Sequence, residues 1–195
     1  MMCKLIHIEG GIMIYLMRHG LDDEGFIGGW SDIGLVEEGK IQVEKAAAYL
    51  LTLPIQHIIS SDVKRAIQTA DIVNKKLNLD ITYDSRLREL DKGLLTGLPV
   101  SEVKELYPDY LNNTNIYKKY PNGSAMIDLY YQIKELICEL KTLDNTLLIT
   151  HRGVINMIYY ILNEIELDMD KNKFNVTHAS IHEVEFDKKL IRRIY

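Results

Sequence analysis

Three short apolar runs in this chain each end in side chains able to do chemistry. Ile12–Met17 leads into Arg18-His19-Gly20, Ile55–Ile59 into Ser60-Ser61 with Arg65 just beyond, and Thr146–Thr150 into His151-Arg152-Gly153. Runs of this length, bounded by polar or glycine-rich loops, read as buried strands. Helical segments separate them. Glu37 to Leu53 reads as a helix with Ile41, Ala47, Tyr49, Leu50 and Leu51 near one side, acids in its first turn and Pro54 as its stop. Ser61 is the expected N-cap of a helix carrying Ala66, Ala70, Val73 and Leu77 at helical spacing. Further helices are expected over Val100–Tyr107, Ser124–Leu140 and Gly153–Leu162, and further strands over Ile81–Tyr83, Ser180–Phe186 and Leu190–Ile194. Pro108 to Gly123 is polar, Asn-rich and reads as a surface excursion. Alternating strands and helices imply an α/β fold with a largely parallel sheet.

In such sheets ligands bind at the carboxyl ends of the strands. Three strand ends therefore deliver two histidines and several arginines to one rim. Taken singly, an arginine after a strand is ordinary surface charge and a histidine at a helix start is a cap or a packing group. Together they ask for an anion, because burying several cations without one is costly. The rest of the composition sets limits. The chain has 195 residues, enough for one domain with a sizeable core. A formal net charge of −5 argues against a broad nucleic-acid footprint, and no apolar run is long enough to span a bilayer. The two cysteines, Cys3 and Cys138, are too few for a disulfide scaffold and read as free thiols of a cytoplasmic protein.

A phosphoryl group would suit this rim. Arginine forks match phosphate oxygens, and helix N-termini opening after Ser61 and His151 would add backbone donors. A neutral histidine attacks phosphorus when an acceptor holds its other ring nitrogen, and surrounding cations keep it unprotonated. The leaving alkoxide needs a proton donor, for which Glu89, within Leu87-Arg88-Glu89, is the leading candidate.

These residues carry a resemblance. Leu16-Met17-Arg18-His19-Gly20 resembles the RHG motif of the histidine phosphatase superfamily, also called the phosphoglycerate mutase-like family. Ser60-Ser61-Asp62-Val63-Lys64-Arg65-Ala66-Ile67-Gln68-Thr69-Ala70 is similar to its SSxxxRAxQTA block. Leu87-Arg88-Glu89 with Gly93 and Gly97 resembles its acid-donor loop, and Thr150-His151-Arg152-Gly153-Val154 its late HGG-type motif. The match runs in order from Ile12 to Phe186. It implies a three-layer α/β/α sandwich spanning 1–195 as one domain, and a phosphomonoester hydrolase of the phosphatase branch acting on a small phosphorylated metabolite. His19 would be the nucleophile and carry the phosphohistidine. Arg18, Arg65 and His151 would hold the phosphoryl oxygens, and Glu89 would protonate the leaving group. Neither metal nor organic cofactor would be required, and the chain would act as a monomer or homodimer.

Two other readings stand beside it. One is a phosphoglycerate mutase, against which Glu89-Leu90-Asp91-Lys92-Gly93 lacks the Arg-His-Tyr expected after the glutamate, and the excursion lacks an adjacent arginine pair for a second acidic group. The other is a non-catalytic binder of a phosphorylated ligand, against which the retention of His19 and Glu89 argues.

The chain also departs from the family pattern. Leu21-Asp22-Asp23-Glu24-Gly25 replaces the usual hydroxyl and Asn donors with acids. Either these acids point to solvent or they select against highly anionic substrates. Arg152 stands where a second glycine is usual, either adding charge to the pocket or lying outside it, and His178 stands where a small donor is common. His178 and His182 are four apart, but on a strand and without a third ligand they make no expected metal site. His57 reads as structural, Trp30 as packing in an entrance loop or a stacking surface, and the tyrosines between Tyr107 and Tyr131 as a lid or half-buried packing. The first eleven residues are read in two ways. Leu5–Ile8 forms a hairpin with Ile12–Met17, or 1–11 are a leader or non-native extension and Met13 is the natural start, since Glu9-Gly10-Gly11-Ile12-Met13 is encodable by a purine-rich ribosome-binding sequence ahead of a start codon.

Overall fold

The computed structural model describes residues 12–195; the hairpin, the leader, Cys3 and His7 lie outside them. Six strands form one sheet in the order β3-β2-β4-β1-β5-β6, with β1 Met13–Arg18, β2 His57–Ser60, β3 Ile81–Tyr83, β4 Thr146–Thr150, β5 Ile181–Glu185 and β6 Leu190–Arg193. The first four in that order run parallel, and β5 and β6 are antiparallel additions at the β1 edge.

Both faces of the sheet are covered, which is why its strands read as continuous apolar runs. Side chains alternate along β1. Ile14 and Leu16 join a core with Ile133, Leu136 and Ile137 of α5 (Met126–Leu140) and Val154, Ile155 and Ile158 of α6 (Arg152–Leu162). Tyr15 and Met17 face Val43, Ala46, Ala47 and Leu50 of α1 (Glu37–Leu50) and Ala66, Ala70 and Val73 of α2 (Lys64–Leu77). Burying each large apolar side chain contributes roughly 1.5–3 kcal/mol. The expected three-layer sandwich is what these two cores describe. Short helices α3 (Val100–Leu106) and α4 (Pro108–Leu111) sit in the long connection between β3 and α5.

Several local expectations shift. In α1 the inward stripe is Val43, Ala46, Ala47 and Leu50, while Ile41 and Leu51 are exposed. The α2 helix begins at Lys64 with Val63 as its N-cap residue; Ser61 Oγ accepts the Val63 amide at 3.4 Å, outside the helix, and also meets the site below. His57 is exposed where β2 begins.

Chain order explains the rim. β4 lies between β1 and β2, so the carboxyl ends of those three strands are neighbours, with Arg18 opposite Thr150 and Ser60 opposite Ile149. Antiparallel β5 starts at this same end, Met17 opposite Ile181, and so brings the residues before it to the rim as well.

Candidate active site

His19 leaves β1 with its amide bonded to the Thr150 carbonyl at 2.9 Å. Its ring Nδ1 lies 2.7 Å from the Gly20 carbonyl, which can only accept, so Nδ1 carries the proton. Nε2 is left with its lone pair, and Arg65 Nε donates to it at 3.2 Å. The ring is 4% exposed. Burial, then the neighbouring His151 and Arg65, push its pKa well below the ordinary histidine value. It is therefore neutral around pH 7.

Arg65 organises the centre. It is 2% exposed, and its Nη2 donates to the Gly29 carbonyl at 2.7 Å and its Nη1 to Ser31 Oγ at 3.4 Å. Gly29 presents that carbonyl from a left-handed turn, φ 63°, where a side chain would be strained. The other residues of the block following β2 hold this arrangement together. Thr69 Oγ1 accepts the Gly20 amide at 3.2 Å and donates to the Arg65 carbonyl, and Gln68 Oε1 accepts the Leu35 amide at 2.7 Å.

His151 lies beside His19, ring centroids 5.1 Å apart, and is fully buried. Its Nδ1 accepts from Arg65 Nη2 at 3.2 Å, and its Nε2 lies 2.9 Å from Ser61 Oγ. Burial and the charges of Arg65 and Arg18 lower its pKa well below the ordinary value. The two histidines thus carry opposite tautomers, and both nitrogens of His151 are occupied.

Arg18 donates from Nη1 to the Val176 carbonyl at 3.0 Å and from Nη2 to His178 Nε2. Its Nε is buried with no partner among the described residues. Burial, reinforced by Arg152, lowers its pKa to about 10, so it remains charged. An orphaned, charged donor beside an imidazole lone pair is an invitation to an anionic oxygen.

Glu89 reaches the same cavity from the loop after β3. Its carboxylate accepts the Leu90 amide at 2.9 Å and the Gly153 amide, in the first turn of α6, at 3.0 Å. A Cβ on residue 153 would lie 2.0 Å from Glu89 Oε1, so only glycine permits this approach. Trp30 clamps the loop: its indole donates to the Glu89 carbonyl at 2.7 Å, and the Arg88 guanidinium covers its ring at 4.8 Å. Arg88 in turn makes a bidentate pair with Asp62, and Thr150 Oγ1 donates to the Leu87 carbonyl at 2.7 Å. Trp30 is therefore packing for the acid-bearing loop.

The cavity measures about 270 Å³ and is lined by Arg18, His19, Arg65 and Glu89 among others. Sequence reasoning left several of its members open. Asp22 turns inward, its carboxylate 3.4 Å from Arg65 Nε and 3.7 Å from His178 Nε2, while Asp23 and Glu24 stay exposed at the mouth. Burial alone would raise the Asp22 carboxyl; its neighbours His178, His19 and Arg65 override it and hold the pKa at about 2. Arg152 also lines the cavity, as do Tyr110 and Tyr120, whereas Tyr117 and Tyr131 face solvent. His182 lies away from His178, its nitrogens 2.9 Å from Tyr159 Oη and Ser180 Oγ, a satisfied buried side chain. His19, Asp22 and His178 do bring one ligand atom each within 4.8 Å of one another. Arg18 already occupies His178 Nε2, and two guanidiniums beside the cluster oppose a cation.

The sequence profile of the histidine phosphatase superfamily (branch 1) matches residues 14–192. Over 188 residues, 92% of this chain and 87% of the relative, the chain is 29% identical to the probable phosphoglycerate mutase GpmB of Citrobacter koseri. Among solved structures, a putative alpha-ribazole-5'-P phosphatase from Escherichia coli matches with a TM-score of 0.83 at 18% identity, over 94% of this chain and 95% of that one. Mycobacterial glucosyl-3-phosphoglycerate phosphatase in complex with inorganic phosphate matches with a TM-score of 0.78 at 22% identity, over 94% of this chain and 96% of that one. At those identities the two structures speak for the fold. No helix among the described residues is long and apolar enough to cross a membrane.

Proposed function

Because the chain belongs to the histidine phosphatase superfamily, we propose that it is a phosphomonoester hydrolase that passes the phosphoryl group of a small phosphorylated metabolite through His19. The observation that carries this reading is the state of that ring: Nδ1 bonded to a carbonyl, Nε2 unprotonated, and two charged guanidiniums at its side.

In the first step the Nε2 lone pair attacks phosphorus and the ester P–O bond breaks. Glu89, protonated at that moment, gives its proton to the leaving oxygen. The phosphorylated imidazole is cationic, and the Gly20 carbonyl steadies its Nδ1–H. Arg18, through its unpartnered Nε, and Arg65 hold the equatorial oxygens as charge develops on them. For His151 to join them, its Nδ1, which accepts from Arg65, has to take up a proton arriving with the substrate as Arg65 turns to the phosphoryl group. In the second step Glu89, now a carboxylate, takes a proton from water; the oxygen attacks phosphorus, the P–N bond breaks, and inorganic phosphate leaves with His19 neutral again.

Quenching a reaction with radiolabelled substrate within milliseconds should trap acid-labile, base-stable phosphate on wild type and none on His19→Ala. No label on wild type under turnover would overturn the route. The curated relatives favour a second reading, phosphoryl transfer between positions of a phosphoglycerate. Incubation with 3-phosphoglycerate, with and without EDTA, separates the two: a hydrolase releases inorganic phosphate, whereas a mutase makes 2-phosphoglycerate.

A further inference from the structure

Beyond Glu89 the cavity wall turns positive in a way that phosphoryl transfer leaves unused. Lys92, Arg152 and Lys171 come from three separate segments and line one cavity. Among the described residues none of the three forms an ion pair; Lys92 has only the Tyr120 hydroxyl, 2.7 Å from Nζ, with the Tyr120 ring beneath the ammonium at 4.1 Å. The stem of Lys92 packs on Gly29, the residue whose carbonyl holds Arg65, so this cluster abuts the phosphoryl end. The acids on the same wall are otherwise engaged. Asp168 pairs with Lys173 and accepts from Tyr160 Oη, Asp170 accepts the Asn172 amide, and Glu89 holds two amides. The three cations feel one another. Burial first, then Arg152, lowers Lys92 to about 8 against the pull of Glu89, and burial, then Lys92, lowers Lys171. Next to them, the Asn156 side chain donates to the Lys171 carbonyl at 3.2 Å, which fixes its orientation and leaves its buried Oδ1 without a donor among the described residues.

We propose that Lys92, Arg152 and Lys171 form a subsite for a negatively charged group on the alcohol half of the substrate, with Asn156 Oδ1 accepting from a hydroxyl beside it. The preferred substrate is then a phosphomonoester whose leaving alcohol is itself an acid. This rests on the hydrolase reading for the placement of the alcohol, but not for the existence of the anion site. The grouping escaped sequence reasoning, which looked for a second anion site in adjacent arginines of the excursion. Cations drawn from the Glu89 loop, the first turn of α6 and the segment after it converge only in the folded chain.

The test compares matched pairs: ω-carboxyalkyl phosphates of two to four carbons against the corresponding ω-hydroxyalkyl phosphates, and α,ω-alkanediol bisphosphates as a second arm. Wild type should favour at least one anionic series by tenfold or more in kcat/KM, and the favoured arm tells carboxylate from phosphate. Lys92→Gln should bring that ratio toward one; if it fails to fold, Arg152→Gln and Lys171→Gln serve in its place. Calorimetric titration of the same compounds into His19→Ala reads the subsite without turnover. Equal affinity and equal kcat/KM for charged and uncharged partners would overturn the subsite. Discrimination in binding by a protein that hydrolyses none of the esters would keep the subsite and sink the hydrolase reading.

Discussion

The end of the cavity proposed for the phosphoryl group is built from strand termini, and the end proposed for the alcohol from loops and the start of α6. His19, Ser61 and Arg18 are pinned by backbone bonds to neighbouring strands or their entries, from His19 to Thr150, Ser61 to Ile149 and Arg18 to Ser180, all within 3.1 Å. The side chains of His19 and Ser61 then interlock through Arg65 and His151, while that of Arg18 turns to Val176 and His178. Lys92 and Lys171 are tied to no strand among the described residues: the Lys92 carbonyl accepts the Leu95 amide within its own loop and the Lys171 carbonyl accepts from the Asn156 side chain, while Lys92 Nζ donates to a tyrosine hydroxyl. A rigid end is suited to fixing where charge develops, which governs rate; a less constrained end is suited to deciding which alcohol departs. If that division holds, substitutions at the first end cost turnover on every substrate, and those at the second change the ranking of substrates.

The largest effect belongs to His19→Ala. Removing the attacking nitrogen should lower kcat by roughly 10⁴-fold or more on all esters, as nucleophile removal does elsewhere. Binding of inorganic phosphate, followed by calorimetry, should persist, because Arg18 and Arg65 remain. Residual turnover within tenfold of wild type would break the division at its root. Arg65→Ala comes next. Loss of a charged oxyanion donor costs about 3–4 kcal/mol, or roughly 10²–10³ in kcat/KM. Because Arg65 also holds Gly29, Ser31 and His151, the loss should be uniform across substrates. Near-normal kinetics would remove it from the pocket.

Glu89 stands at the junction of the two ends, and Glu89→Gln should show it. An alkyl ester needs its leaving oxygen protonated and should lose about 10²-fold, whereas p-nitrophenyl phosphate, with a good leaving group, should lose far less. Equal losses on both would argue for a purely structural glutamate that latches Gly153.

The contrast between the ends also explains what the sequence could convey. The phosphoryl end was legible because its residues sit at fixed short spacing from apolar runs, and β4 between β1 and β2 makes those strand ends neighbours. Even the spacing inside the block after β2 has a physical cause: Ser61 reaches His151, Arg65 reaches His19, Gln68 reaches Leu35 and Thr69 reaches Gly20. What stayed hidden was placement that local pattern does not encode. His178 meets Arg18 only because β5 runs antiparallel and starts at the rim. Asp22 sits in an irregular loop with no period to say which way it faces, and the Arg65 guanidinium draws it inward. Ile41 looked like a core residue by its chemistry, yet the small Ala46 and Ala47 face the sheet and let α1 lie close to it.

Protonation offers a finer probe of the rigid end. His19 and His151 are held neutral well below the ordinary histidine value, and burial with Arg193 nearby lowers His182 to about 4. In the unfolded chain each takes up a proton near pH 6.5, so the unfolded state binds more protons as pH falls. Stability should therefore decline below pH 6.5, by about 1.4 kcal/mol per pH unit for each histidine still neutral in the fold. Denaturant titrations at pH 7.5 and 5.5 check the slope. Nitrogen-15 spectra should show an unprotonated Nε2 on His19 and an unprotonated Nδ1 on His151 throughout. Titration of either ring near 6.5 would mean that the cluster is looser than its hydrogen bonds imply.

The smallest effect expected is at Asp22, and it is a gain. Its carboxylate lies 3.4 Å from Arg65 Nε, an anion on one of the cations a phosphoryl group would need. With a pKa of about 2 it is ionised wherever the protein is assayed. Incoming phosphate must push this charge aside or tolerate it. Asp22→Asn keeps the shape and removes the charge, and should tighten inorganic phosphate about tenfold at low salt, the equivalent of ~1.4 kcal/mol between partly screened like charges. Added salt should shrink the gain. The same substitution removes a group that stabilises the fold: a carboxyl depressed to about 2 contributes stability above its unfolded pKa that is lost as pH falls from about 4 towards 2, so Asp22→Asn should unfold more easily at neutral pH than wild type. Tighter phosphate with lower stability would identify Asp22 as a charge held in the site against phosphate. Unchanged affinity would mean that the carboxylate swings clear, leaving Asp23 and Glu24 at the mouth as the acids a substrate meets first.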